Sequence, residues 1–403
     1  MTSATLFSSP TIRLRSAHDV LAAVPYLLGY RPAECVVVAG ADADGRLPLL
    51  ARTSLDDLCE PGDGERVVRT LAARASDVGV RRAVVAVCTA RTVSPGTPLR
   101  RGVDLLLAGL DAVADADPWL VTPDGYRGLV CADPLCCPPG GHRLDDLTTG
   151  EVSAAFVLSG RAVAPTAADA FRVQRAPDAA RTLAARAAGR WERAGTQGAA
   201  DAEASRRWRR EGLTAWEEAT RHAATELRAG EPPHVVRLPP ALLGRVAAAL
   251  ADTAVRDAVL LTLVPGAREV ARLTAGGAAH DEVAAGTADA IARVVDPRVG
   301  LRPEEETVAP ALAVLEAVVG HVPRRLQPPA LTLLGLLAWW RGDGGLAGHR
   351  VQAALTLDPG YRLALLLRSV LTAALPPGWV RRVAARAQGV EDAGPPTLDP
   401  GVG

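Results

Sequence analysis

Apolar residues in the first third of the chain alternate between two periods. Val20, Leu21, Val24, Leu27 and Leu28 recur at helical spacing. Ser16-Ala17-His18-Asp19 ahead of them reads as a capping box, the serine and the acid each satisfying an orphan backbone donor. Gly29 is a natural stop for this helix, and Pro25 should kink it. Cys35 to Ala39 then read as a buried strand, Asp42-Ala43-Asp44-Gly45 as a hairpin turn, and Leu47 to Thr53 as a second strand. A calcium loop opening at Asp42 would need glutamate at its twelfth position, where Thr53 stands. A helix over residues 63–78 puts Val67, Val68, Leu71, Ala75 and Val78 on one face. Ala83 to Cys88 is the most strand-like run and is expected at the centre of the sheet. A helix over 103–114, a strand from Trp119 to Val121, a Pro123-Asp124-Gly125 turn and a strand from Tyr126 to Cys131 complete the series. This order predicts a mixed sheet with helices packed on it.

From about Pro165 the strand pattern ceases. Ala- and Arg-rich helical segments run to Gly230, with a flexible break expected over Gly195 to Ala202. After Pro232-Pro233 consecutive helices follow, punctuated by Pro and Gly, to about Ala387. The predicted class is therefore α+β or α/β. A mixed-sheet domain spans 10–165, an Ala/Arg-rich helical linker region 166–231, an all-helical domain 232–388 and a disordered tail 389–403.

Within the helical part, Leu331, Leu334, Gly335, Ala338, Ala347, Val351, Ala354 and Pro359 match the spacing of a 34-residue tetratricopeptide helix pair. Small side chains at Gly335, Ala347 and Ala354 would let two helices approach closely. Arg350 is expected on the outer face.

Composition removes chemistries more than it adds them. The basic residues are all arginine; the chain has no lysine and no asparagine. Without lysine there is no Schiff-base chemistry, no phosphate-loop lysine and no kinase strand lysine. Without asparagine there is no N-glycosylation acceptor. Basic and acidic residues balance at 45 each, so no long-range attraction to nucleic acid or an anionic membrane is expected. The first ten residues carry neither basic residues nor a long apolar run, and no apolar run approaches the ~20 residues that span a bilayer. A cytoplasmic setting with reduced thiols is expected.

Three stretches resemble a known family. Pro25-Tyr26-Leu27-Leu28-Gly29-Tyr30-Arg31-Pro32, within Leu14 to Ala39, resembles the opening of the actinobacterial domain-of-unknown-function family 4192. Cys131-Ala132-Asp133-Pro134-Leu135-Cys136-Cys137-Pro138 resembles its second signature, and Asp358-Pro359-Gly360-Tyr361-Arg362-Leu363-Ala364 its ending. The resemblance implies a cytoplasmic actinobacterial protein and transfers no catalytic residue. This chain has Ser54-Leu55-Asp56 where the family's second strand would end in an Asp-Leu-Pro-like turn.

Two constellations stand out near the front. Gly29, Tyr30, Arg31 and Pro32 form a loop suited to a ligand. Cys131, Cys136, Cys137 and His142 supply three sulfurs and an imidazole, a set that suits a metal or redox chemistry. Zinc ligands normally come as two well-separated pairs, and adjacent cysteines struggle to aim both sulfurs at one ion, so the four are read first as structural residues of the hairpin, and no stoichiometric zinc or other cofactor is expected. Arg206-Arg207-Trp208-Arg209-Arg210 has the composition of a nucleic-acid contact. Glu203 and Glu211, each four residues from Arg207, should neutralise it, with Trp208 and Trp216 packing inward. The resulting expectation is a non-enzymatic interaction or regulatory protein that contacts a protein partner through its helical domain. The alternative is a small-ligand-binding or enzymatic α/β domain using the 29–32 loop and the Cys131–His142 hairpin.

Overall fold

The computed structural model describes residues 14–138, 140–229, 236–277 and 280–387. The tail read from composition as disordered, and the first ten residues, lie outside them. The chain divides into two compact units between Arg172 and Val173.

The first unit is built on a five-stranded sheet. Its strands are β1 (Cys35–Ala41), β2 (Leu49–Ser54), β3 (Arg82–Cys88), β4 (Asp115–Thr122) and β5 (Gly125–Gly128), in the order β2-β1-β3-β4-β5. β3 and β4 are parallel and every other pairing is antiparallel, so the sheet is mixed and β3 is central, as its unbroken apolar run predicts. The helices are α1 (Ala17–Leu28), α2 (Leu55–Cys59), α3 (Asp63–Asp77), α4 (Pro98–Asp111), α5 (Leu144–Thr149), α6 (Glu151–Leu158) and α7 (Ala167–Ala170).

Alternation along the strands sorts the helices onto two faces. Val36, Val38, Val85 and Val87 point into a core with Leu55, Leu58, Val68, Leu71, Val103 and Leu106 from α2, α3 and α4. Cys35, Val37, Ala86 and Cys88 point the other way, toward Leu21 and Val24 of α1, Leu147 of α5 and Phe156 of α6. The Ser16 hydroxyl caps α1 by accepting from the Asp19 amide at 3.2 Å. The Asp19 carboxylate accepts from the amide of Arg15 instead of Ser16, one residue farther back than a capping box requires. Gly29 ends α1 at φ 79°, a conformation that costs glycine little.

Two local departures matter for the site. β5 stops at Gly128, so Cys131 lies in the loop beyond the hairpin rather than on it. The Ser54-Leu55-Asp56 turn opens the short helix α2, which Ser54 caps through the Asp56 amide at 3.2 Å.

The described residues of the second unit form helices and no strand: α8 (Asp178–Gln197), α9 (Ala202–Ala229), α10 (Pro240–Leu250), α11 (Thr253–Thr262), α12 (Arg268–Gly276), α13 (His280–Val295), α14 (Glu305–His321), α15 (Pro328–Trp340), α16 (Gly344–Leu357), α17 (Arg362–Thr372) and α18 (Gly378–Ala387). The segment read from sequence as a linker region supplies α8 and α9, whose Ala184, Ala188, Leu213 and Trp216 belong to this unit's core. The break expected over 195–202 shrinks to a turn after Gln197, where Asp201 receives the Glu203 amide at 2.9 Å.

Candidate functional site

A cleft of about 460 Å³ opens in the first unit at the carboxyl ends of β3 and β4. Open α/β sheets place ligands at this end of their parallel strands. Ala86 and Cys88 of β3 and Val121 of β4 form the floor, Leu21 and Tyr26 of α1 one wall, and Leu147 of α5 another. The lining is mainly apolar because it is the end of the same alternating face that packs α1 on the sheet.

Four loop residues were expected here, and the structure separates them. Arg31 and Pro32 line the cleft. Tyr30 turns inward, 4% exposed, with its ring edge-on to Phe171 at 5.5 Å. Gly29 serves the helix stop, and its carbonyl receives the Ala164 amide at 2.9 Å. The Arg31 side chain is exposed, and among the described residues no carboxylate pairs with it.

Glu34 closes the floor beside it, and sequence reasoning missed it. Its backbone stands at φ 49°, a left-handed conformation unfavourable for a residue with a Cβ. Its carboxylate accepts from the Thr89 hydroxyl at 3.0 and 3.1 Å and from the Ala90 amide at 3.0 Å. Arg91 spans Glu34 at 2.7 Å and Asp56 at 2.8 Å. Both carboxylates raise the Arg91 guanidinium above its ordinary value, Asp56 through its hydrogen bond most strongly. Partners 55 positions apart leave no local pattern; the only local sign was the unusual Ser54-Leu55-Asp56 turn.

Cys35 and Cys88 are register partners across β1 and β3, both buried, and Cys88 lines the cleft. The hydrogen bond between the thiols lowers Cys35 and raises Cys88.

The second cysteine group converges in spite of its spacing. The Sγ atoms of Cys131, Cys136 and Cys137 all lie within 4.8 Å of one another. The Asp133 turn brings them together: its carboxylate accepts from the Leu135 amide at 2.9 Å and its carbonyl from the Cys137 amide at 2.7 Å. The turn folds the chain back between the two cysteine positions. The adjacent Cys136 and Cys137 sulfurs thus lie near each other and near Cys131 Sγ. His142 is not in the sulfur cluster; its Nε2 is hydrogen-bonded to the Cys136 carbonyl at 2.8 Å. A backbone N–H from Asp133 lowers the Cys131 thiol, while its sulfur neighbours, Cys131 foremost, push Cys136 up to about 11.

Tyr126 joins this loop to α1. Its hydroxyl is hydrogen-bonded to His18 Nδ1 at 2.7 Å, and its ring stacks on His142 at 4.9 Å.

In the helical unit, Gly335 lies on α15, and Ala347 and Ala354 on α16. A Cβ on Gly335 would stand 3.0 Å from Val351 Cγ2 and 3.2 Å from the Ala347 carbonyl. Ala347 and Ala354 are fully buried and Leu334 nearly so, while Pro359 is exposed in the turn beyond. Arg350, expected outside, is 5% exposed and pairs with Glu316 at 3.3 Å. Its Cβ lies against Gly335, where the missing side chain leaves room for it. In the arginine cluster Glu203 serves Arg210 at 2.7 Å and Arg206 at 3.7 Å rather than Arg207, and Arg209 pairs with Asp252 at 3.0 Å. Trp208 stacks on Trp191 and Trp216 is buried, both inward as expected. Among the described residues no helix is long and apolar enough to cross a membrane.

The model of a family described as "Domain of unknown function (DUF4192)" matches residues 18–280 and 268–378, most of the chain. No curated protein and no solved structure matches it.

Proposed function

We propose, on the premise that this chain belongs to the DUF4192 family, that its first unit binds a small molecule with an apolar body and an acidic group. The observation that carries this reading is the apolar cleft at the carboxyl ends of the parallel strands with Arg31 at its edge. Its volume falls in the range of small-molecule sites, roughly 300–1,000 Å³. The body of the ligand would lie between α1 and the floor of β3 and β4. An arginine with no carboxylate partner suits a carboxylate or phosphate, which it can meet with two parallel N–H donors. Glu34, already committed to Thr89, Ala90 and Arg91, shapes the floor and has no role as a proton carrier in this reading.

The test is native mass spectrometry of the full chain purified from its own host, beside Val121→Phe and Arg31→Ala. A non-covalent small-molecule adduct is expected on the wild type and absent from Val121→Phe, which fills the cleft. Arg31→Ala should weaken an added acidic ligand by about tenfold or more, about 1.4 kcal/mol. An adduct that survives Val121→Phe overturns the proposal. So does a chain that copurifies with nothing and is stabilised by no amphipathic acid.

A second reading keeps a protein partner on the helical unit, with the tetratricopeptide character of its α15–α16 hairpin as part of that proposal. Its small residues are consumed in closing the hairpin, so they offer no surface. Its support is Ile291 and Val295, one turn apart on α13 and 49% and 40% exposed.

A further inference from the structure

From the convergence of Cys131, Cys136 and Cys137 on one point, we infer that they form a three-thiolate site for a zinc-class ion, with the fourth position open to solvent or an incoming ligand. Tetrahedral zinc with sulfur ligands at about 2.3 Å sets neighbouring sulfurs about 3.8 Å apart. The three sulfurs already lie within 4.8 Å of one another, so closing on an ion needs shifts of an ångström or less.

A backbone donor also addresses the sulfurs, independently of the spacing. The Gly128 amide donates to Cys137 Sγ at 3.3 Å. Such N–H donors orient metal-bound thiolates and offset their charge. Gly128 is required by the same packing: a Cβ there would stand 2.9 Å from Cys131 Cβ and 3.3 Å from Cys137 Sγ. The site is a tight knuckle between the end of β5 and the Asp133 turn.

Three thiols bind as three thiolates. Each gives its proton to solvent, and a dication held by them leaves the site with one net negative charge. A soft all-sulfur set selects zinc or copper(I) over magnesium or calcium. His142 is a positioning residue. Its Nε2 holds the Cys136 carbonyl, and so the turn between the cysteines, while remaining outside the sulfur cluster. Cys131 and Cys136 are exposed, so an ion has a path in and a ligand has access to the fourth position.

The test uses the full chain, reduced, purified and dialysed against metal-free buffer. Elemental analysis should find about one zinc per chain, falling to near zero in Cys136→Ser and Cys137→Ser. Cys59→Ser, outside the cluster, should keep it, and His142→Ala should keep it with weaker retention. Cobalt(II) replacement in the wild type counts the ligands without any variant. Sulfur-to-cobalt charge-transfer bands with the intensity of three thiolates, and tetrahedral d–d bands, are expected. Stoichiometric copper(I) in place of zinc would overturn the tetrahedral zinc assignment. Absent charge-transfer bands, zinc retained when all three cysteines are serine, or a metal-free chain with a disulfide among the three would overturn the site itself.

Discussion

Gly244 of α10 lies so close to the carbonyl oxygen of Ala184 in α8 that a Cβ on it would overlap that oxygen and stand 3.0 Å from the Ala188 amide nitrogen. The two helices touch backbone to backbone. Gly244→Ala should therefore destabilise the helical unit, although alanine gains about 1 kcal/mol of helix propensity over glycine. The overlap is with backbone, which cannot rotate away, and overpacking costs of roughly 1–3 kcal/mol or more should win. Urea unfolding followed by circular dichroism measures this. A Gly244→Ala chain as stable as the wild type would mean that α8 can move off α10.

Glu34→Ala removes the acceptor of the buried Thr89 hydroxyl and one partner of Arg91. An expected loss of about 1–3 kcal/mol follows from leaving a buried donor unsatisfied. Glu34→Gly removes the same bonds but relieves the φ of 49°. It should be the more stable of the two by about 1 kcal/mol, the cost of a Cβ in that conformation. The order of the two midpoints in one denaturant series decides it; alanine above glycine would show that the backbone there is not strained.

Burial, with smaller contributions from Asp146 and Cys137, pushes the Tyr126 phenol up to about 12. An unfolded tyrosine ionises near pH 10. Between these values the unfolded chain gives up its proton while the folded chain keeps it. The contribution is therefore complete below about pH 10 and is lost as pH rises through about 12. Stability of the wild type should fall with pH over this window more steeply than that of Tyr126→Phe. Parallel slopes for the two chains would contradict the placement of this phenol.

Ala354 is fully buried between α15 and α16. Ala354→Leu should cost roughly 1–3 kcal/mol by overpacking. Gln352→Ala, on the exposed side of the same helix, should change stability by less than about 0.5 kcal/mol. Thermal melts of the pair read the difference, and equal midpoints would refute the close approach of the two helices.

What the sequence disclosed follows the range of the interaction involved. Ser16 and Gly29 act within a turn of α1, so the ends of that helix were readable. β3 announced itself because a strand covered on both faces is apolar without interruption. The Ala-rich α8 and α9 were mistaken for a linker because alanine gives little contrast between buried and exposed faces, although Ala184 and Ala188 are core residues. Arg350 was misplaced because a charged side chain is ordinarily exposed, and its pairing with Glu316 spans 34 positions. At the cleft Arg31 and Pro32 were legible, but Glu34 and Thr89 meet only through the β1–β3 ladder. The cysteines were seen, but their convergence was not, because it depends on the Asp133 turn.

Tyr126 has a consequence for how the first unit would respond to what it binds. Through its hydroxyl it holds His18 on α1, a wall of the cleft; through its ring it holds His142, which holds the carbonyl of Cys136. Only three side-chain contacts separate the cysteine loop from the ligand wall. An occupant that draws the sulfurs together favours one setting of this chain of contacts, and an occupant of the cleft favours one setting of α1. If the two settings agree, each occupant tightens the other's binding by the same factor, and if they conflict, each weakens the other equally, since free-energy linkage is reciprocal.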